Sequence, residues 1–206
     1  MSPRPSKIVC IGRNYVEHAK ELGNDVPSEP LIFLKPPSSI IGDGDYIVLP
    51  PQSSQVEHEG EIGIVIGQTL RNADELTAVA AIRGIVALND VTARDLQRKD
   101  GQWTRAKGFD TFCPVGPVHE GRVDLGNLEV VTRVNGQVRQ RAKSSEMVFP
   151  IPVVLAYISK VMTLEPGDLV ATGTPAGISR IDPGDTVEVE VVGVGKVRNP
   201  VRSAQA

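Results

Sequence analysis

Aromatic side chains are scarce in this 206-residue chain, which has one Trp, three Tyr and four Phe. Its 22 basic residues are scattered and slightly outnumbered by 25 acidic ones, giving a net charge of −3. A basic groove interleaved with stacking aromatics is therefore missing, and with it the usual surface for nucleic acid. No apolar run is long enough to cross a bilayer. The N-terminal MSPRPSKIV lacks the apolar core of a secretory signal, so a cytoplasmic location is expected. Cys10 and Cys113 sit among apolar neighbours with no base suggested nearby, and are expected to be buried small hydrophobes in a reducing compartment. GTPAG is not a G-x-S-x-G nucleophile elbow, Ser144-Ser145 has no recognisable base partner in sequence, and no GxxxxGK[ST] phosphate loop occurs.

What remains is a chain of ordinary apolar content, long enough for one well-filled domain. It reads as a β-dominated α+β domain spanning 1–206, with loose tails at 1–6 and 202–206. Short strands are expected at Lys7 to Ile11 and Leu31 to Lys35. Three Gly-Asp turns feed β-rich runs: GDGDYIVLP (42–50), PGDLVATGTP (166–175) and PGDTVEVEVVGVG (183–195). In the last of these Val187, Val189 and Val191 alternate with Glu188 and Glu190, the period of a half-buried strand. NLEVVTRV, Asn135-Gly136 and QVRQ spell a tight hairpin. Helices are expected at 14–22, at 73–81 starting near Asn72, at 92–98 with Thr92 as cap and Asp95 completing a capping box, and at 151–162 with Pro152 in the first turn.

The segment Glu57-His58-Glu59-Gly60-Glu61 runs straight into the apolar IGIVIG. If residues 57–66 form one strand, Glu57, Glu59 and Glu61 share a face. Like charges in a row repel, more so when buried, and need water, basic partners or a bound cation. Gly60 and Gly63 allow close backbone approach. A second apolar run, GIVALND, ends in Asn89-Asp90, placing an acid at the tip of a buried strand where it can serve as ligand or base. Two carboxylates at i and i+2 plus one from a neighbouring strand end suit a hard divalent ion, with positions left open for substrate oxygens. Zinc is disfavoured, because His58 falls on the opposite face and no Cys/His spacing matches a zinc site.

The segments KIVCIGRNYVEHAKELG, EPLIFLKPPSS, VEHEGEIGIVIG, LNDVTARDLQ, WTRAKGFDTFCPVGP, VNGQVRQ and SSEMVFPIPVVLAYISKVMTLEPGDLVATGTPAG, taken together and in this order, closely resemble the fumarylacetoacetate hydrolase family. The likeness is to its short members that act as acylpyruvate hydrolases and oxaloacetate decarboxylases, and it covers roughly residues 7–195. The resemblance implies a mixed β-sandwich roll, a homodimer, and Mg²⁺ or Mn²⁺ held by Glu59, Glu61 and Asp90. Glu57 then stands beside the site and is not a ligand. It also implies a lid segment carrying a His-x-x-Glu pair, here His18 and Glu21. Three residues apart, these share a helix face, which alone would signify only a polar surface. In the family's pattern Glu21 fixes the imidazole tautomer and His18 deprotonates a water. The matching Lys107 points into the site to stabilise negative charge. Arg13, Asn14, Gln97 and Thr174 are candidate substrate contacts.

A 2-oxo acid that chelates the ion through its carboxylate and 2-oxo oxygens can pass through an enolate. Water attack on an acyl group then gives acylpyruvate hydrolysis, the leading expectation. Loss of carbon dioxide gives oxaloacetate decarboxylation. Proton movement alone gives a tautomerase, or an isomerase of 2-hydroxyhepta-2,4-diene-1,7-dioate. Outside catalysis, a binding module stabilised by a structural ion would use the acids but not His18.

Overall fold

A computed structural model describes residues 5–204. Among the described residues, fifteen strands and five α-helices follow one another. The first half holds β1 (Ile8–Gly12), α1 (Val16–Glu21), β2 (Leu31–Lys35), β3 (Ile40–Ile41), β4 (Ile47–Leu49), β5 (Val56–His58), β6 (Gly60–Ile66), α2 (Glu75–Ala80), β7 (Ile82–Asn89) and β8 (Thr92–Ala93). Then come α3 (Arg94–Asp100), α4 (Thr104–Lys107), β9 (Cys113–Pro114), β10 (Glu129–Val134), β11 (Gln137–Lys143) and α5 (Ile151–Val161). The chain closes with β12 (Leu169–Ala171), β13 (Ser179–Arg180), β14 (Thr186–Val191) and β15 (Gly195–Ser203).

Two five-stranded sheets carry the fold, in the orders β2-β1-β12-β6-β7 and β11-β10-β14-β15-β4. Small sheets β13-β5-β8 and β3-β9 join their corners. Apart from its edge strand β2, the first sheet is buried on both faces. Val9, Ile11, Ile62, Ile64, Ile85 and Val170 pack one way, toward Val154, Leu155 and Ile158 of α5 and Val189 and Val191 of β14. The alternate residues Ile8, Cys10, Val65, Val86, Leu88 and Leu169 pack the other way, around Cys113. That period of two is what a doubly covered strand requires, and burying each Ile or Leu stabilises by about 1.5–3 kcal/mol. The cysteines are buried and unpaired, and burial pushes both thiols up, Cys113 to about 12.

The mixed, strand-rich α+β architecture matches the sequence expectation, and so does the hairpin. Asn135 and Gly136 both take positive φ, 52° and 79°, between β10 and β11. Several local expectations fail for identifiable reasons. Thr92 does not cap α3: its hydroxyl donates to the Asp90 carbonyl, while Asp95 accepts from Ser53 and Ser54. The cap of α2 is Asp74, which accepts from the Thr77 N–H. Arg13, in the left-handed region at φ 57°, and an extended Tyr15 delay α1 to Val16. The expected loose tails are ordered wherever they fall within the described residues. Ser6 donates its N–H and hydroxyl to Asp168 Oδ1 (2.9 and 2.7 Å), and Arg202 and Ser203 belong to β15. The outermost positions, 1–4 and 205–206, lie outside the described residues.

The expected single strand over 57–66 is in fact two strands in different sheets. β5 pairs with β13 and β8, whereas β6 pairs with β12 and β7, and the switch falls at Glu59. Gly60 lets the corner pass close to the second sheet, since a Cβ there would lie 1.9 Å from Thr132 Oγ1. The loop after β12 closes over the corner and turns at Gly177, whose φ is +99°. A Cβ at Gly177 would lie 2.1 Å from the Arg139 carbonyl oxygen. Gly177→Ala is therefore expected to lose about 2 kcal/mol or more, from left-handed strain plus overpacking. That corresponds to a Tm lower by about 4–8 °C in a chain of this size. Gly167→Ala (φ +94°, with open space around it) should lose less in the same thermal melts.

Candidate active site and metal centre

The strand switch turns Glu59 and Glu61 toward the end of β7. The Glu59 N–H donates to Asn89 Oδ1 (2.9 Å), and the Asp90 N–H donates back to the Glu59 carbonyl (2.8 Å). These bonds lock the two acidic segments side by side. Carboxylate oxygens of Glu59, Glu61 and Asp90 lie within 4.8 Å of one another, and all three residues are buried. Glu57 is not part of this group. It turns toward Arg94, whose Nε lies 2.8 Å from Glu57 Oε2.

Basic side chains partly offset this acidity. The Arg94 guanidinium bridges Glu57 and Glu59 and donates to Gln97 Oε1 at 2.5 Å. Lys107 Nζ sits between Glu59 Oε2 (2.7 Å) and Asp90 Oδ2 (2.6 Å), with the Phe33 ring 5.2 Å away. Lys35 is wholly buried. Its ammonium donates to the carbonyls of Lys107 and Val91 and lies 2.8 Å from Asp90 Oδ1. That last approach is an ion contact without hydrogen-bond angles, so Asp90 Oδ1 keeps lone pairs that no donor fills. Burial alone would raise the Glu59 carboxyl, but Lys107 and Arg94 outweigh it and hold the group well below the usual carboxylate range. Glu61 has one donor, the Gly173 N–H at 2.7 Å. Burial, followed by the Asp90 and Glu59 charges, pushes it well above that range.

Four carboxylates thus face three cations in one buried corner, and Glu61 is the group left short of positive charge. An all-oxygen donor set with an unfilled Asp90 oxygen and an under-compensated Glu61 fits a hard divalent cation.

His18 in α1 is buried, and its Nδ1 lies 3.4 Å from Glu21 Oε2. Glu21 is held in turn by the Gly177 N–H (3.1 and 3.3 Å). Burial lowers the imidazole below its ordinary value, and the carboxylates of Glu59 and Glu21 oppose this without reversing it. A cavity of about 450 Å³ opens between α1 and the acidic corner. Its lining includes Arg13, His18, Glu21, Glu59, Glu61, Asp90, Gln97, Lys107 and Thr174. Asn14 does not line it. Its side chain donates to the carbonyls of Thr172 and Phe149 and accepts from the Phe149 N–H, so it ties loops together and leaves no polar atom for a substrate. Arg13 stacks over Trp103, with Cζ 5.9 Å from the ring.

Sequence reasoning missed Arg94 and Lys35, which pair with the acids, and Trp103 and Arg98, which line the cavity. A lysine that closes the apolar LIFLK was a usable signal for Lys35, since a cation at the end of a buried strand needs an anion. Arg94 carried no such mark, because its two partners lie more than thirty positions away.

His58, facing away from the acids, bonds Gln140 and Ser179, and burial lowers its pKa to about 4. An imidazole that stays neutral when folded, but would protonate near 6.5 when unfolded, lends its stability fully above pH 6.5. That stability is withdrawn as pH falls toward 4. Denaturant titrations of metal-free protein should lose on the order of 3 kcal/mol from this group across that window. His58→Gln should flatten the slope, without abolishing it because His18 shares the direction.

The family described as fumarylacetoacetate (FAA) hydrolase C-terminal matches residues 7–202. The mitochondrial oxaloacetate decarboxylase of Dictyostelium discoideum is 44% identical over 195 residues, covering 91% of this chain and 89% of that protein. A human mitochondrial oxaloacetate tautomerase is 43% identical over 210 residues, covering 96% and 67%. Among solved structures, 5-carboxymethyl-2-hydroxymuconate delta-isomerase from Mycobacterium smegmatis aligns with a TM-score of 0.92 at 47% identity, over 98% of this chain and 81% of that one. Fumarylpyruvate hydrolase from Pseudomonas aeruginosa, in complex with Mn²⁺ and pyruvate, aligns with a TM-score of 0.91 at 28% identity, over 97% and 91%. With its fold, its acidic corner and nearly its whole length accounted for, the chain belongs to the fumarylacetoacetate hydrolase family of enzymes.

Proposed function

We propose that this protein enolises small 2-oxo dicarboxylic acids, with oxaloacetate the first substrate to test and tautomerisation or decarboxylation the outcome. The observation that carries this reading is a buried His18, oriented by Glu21, lining the same cavity as Glu59, Glu61 and Asp90. The relatives named for oxaloacetate chemistry, at 43–44% identity, support the substrate class. This places the emphasis on a branch that the sequence ranked second to acylpyruvate hydrolysis.

A bound Mg²⁺ or Mn²⁺, held by Glu59, Glu61 and Asp90, supplies a Lewis acid for the 2-oxo carbonyl and offsets the excess negative charge. The protein's own groups do the rest. Glu21 accepts from Nδ1–H of His18 and so fixes the tautomer. Nε2, which makes no hydrogen bond among the described residues, can then take a proton from C3 and return it to either C3 or the enol oxygen. In decarboxylation the same nitrogen, once protonated, supplies the proton that C3 needs after carbon dioxide departs. Lys107 adds a donor for negative charge developing on substrate oxygen, and Gln97, fixed by Arg94, orients the bound acid. A second reading, hydrolysis of acylpyruvates, is supported by the likeness to fumarylpyruvate hydrolase. It would use His18 to deprotonate water instead of carbon.

With purified protein, decay of enol-oxaloacetate absorbance and release of pyruvate and carbon dioxide should both be tested, alongside acetylpyruvate. Chelation should abolish turnover, and Mg²⁺ or Mn²⁺ should restore it; chelator-resistant turnover counts against the proposal. His18→Gln should lower kcat by about 10²–10⁴-fold with Tm and Mn²⁺ binding retained. Because burial lowers its pKa, the acid limb of kcat/KM should fall below pH 6.5. Faster turnover of acetylpyruvate than of oxaloacetate would favour the hydrolytic reading.

A further inference from the structure

Gln140 touches neither the acids nor the cavity, yet every hydrogen-bonding position of its side chain is used at the strand switch. It projects from β11, is 1% exposed, and reaches out of the second sheet. Its Oε1 accepts from the Gly60 N–H at 3.0 Å and lies 3.1 Å from His58 Nδ1. Its Nε2 donates to Thr174 Oγ1 at 2.8 Å and to the Pro175 carbonyl at 2.7 Å. Thr174 closes the ring by donating to the Gly60 carbonyl at 3.0 Å.

The amide orientation follows from one fixed donor. The Gly60 group that meets the amide is its N–H, which can only donate, so the atom facing it is the oxygen. His58 must then donate from Nδ1, leaving Nε2 to accept from the Ser179 hydroxyl 2.9 Å away. Each member of the ring is consistent with the others, as a buried polar network requires. The ring clasps both sides of Glu59: His58 before it, Gly60 after it, and the loop whose Gly173 N–H holds Glu61.

We propose that Gln140 is a positioning residue for the metal centre. Its amide holds the switch between β5 and β6 at the angle that brings Glu59 and Glu61 together. The affinity of the site for a divalent cation therefore depends on a side chain that contacts neither the ion nor the substrate. The inference rests on the reading of Glu59, Glu61 and Asp90 as a cation site. Outer partners of this kind typically change metal affinity by about 10–100-fold when removed.

The test is calorimetric titration of the metal-free protein with Mn²⁺, with thermal melts of the same samples. Gln140→Leu keeps the bulk and removes all four bonds. It is expected to weaken Mn²⁺ binding by about 10–100-fold while still melting cooperatively. Leu155→Ala, which opens a cavity in the core at a residue that does not line the site, serves as a control for lost stability and should bind Mn²⁺ like the parent. Equal Mn²⁺ affinity in Gln140→Leu and parent overturns the inference, as does an equal loss in Leu155→Ala. If Gln140→Leu does not fold, Thr174→Val decides, because it cuts the ring at its far side without changing volume. Parent-like Mn²⁺ affinity in that variant also overturns the inference. A parent protein that binds no Mn²⁺ at all rejects the underlying cation site instead.

Discussion

Carboxylates that converge in a dry protein interior repel one another, and each must be matched by positive charge or give up its own. That requirement organises the centre of this molecule. Arg94 spans Glu57 and Glu59, Lys107 spans Glu59 and Asp90, and Lys35 backs Asp90 from the apolar side. Only Glu61 lacks a cation of its own, holding a single backbone donor, and its carboxyl is accordingly pushed up. The three basic side chains come from β2, α3 and α4, so the elements that wall the cavity are also those that make its acidity tolerable.

The backbone meets this demand by breaking a strand. A regular strand would have left Glu57, Glu59 and Glu61 evenly spaced along one face. Moving from one sheet to another at Glu59 separates Glu57 from the other two and gives it to Arg94. Gly60 makes the turn possible at close range to Thr132, and Asn89 ties it to the end of β7. Because the first sheet is packed on both faces, this corner stands on a rigid base, which is what a site needing fixed oxygen positions requires.

On the proposed reading, proton handling is kept separate from charge binding. α1 follows β1 after the left-handed Arg13 and sets His18 across the cavity from the acids. Burial lowers its imidazole below the ordinary value, and its partner Glu21 is anchored to Gly177 on the loop after β12. That loop also delivers Gly173 to Glu61 and Thr174 to the strand switch, so one short stretch touches both halves of the site. The proposed enolisation fits such a scaffold, since the alternative reactions weighed for 2-oxo acids share the need to stabilise an enolate and to move one proton.

Much of this was legible in the chain before any coordinates. Alternating valines in 187–191, the Asn135-Gly136 turn and the apolar run after EHEGE each reflect a local rule, namely pleat period, turn chemistry or burial. Those rules act between near neighbours, so they survive without a fold. A three-acid site built from EHEGE and the tip of GIVALND followed from pleat period and burial, whereas the exclusion of Glu57 and the pairing of His18 with Glu21 came from the resemblance to a known family. What the sequence could not contain was the pairing of charges across it. Arg94 and Gln140 look like ordinary polar residues until the sheets bring them against partners dozens of positions away, and Asn14 looks like a substrate contact until Thr172 and Phe149 are seen to occupy it. Hydrogen bonds and ion pairs are decided by distance and angle in space, and only the tertiary packing sets those.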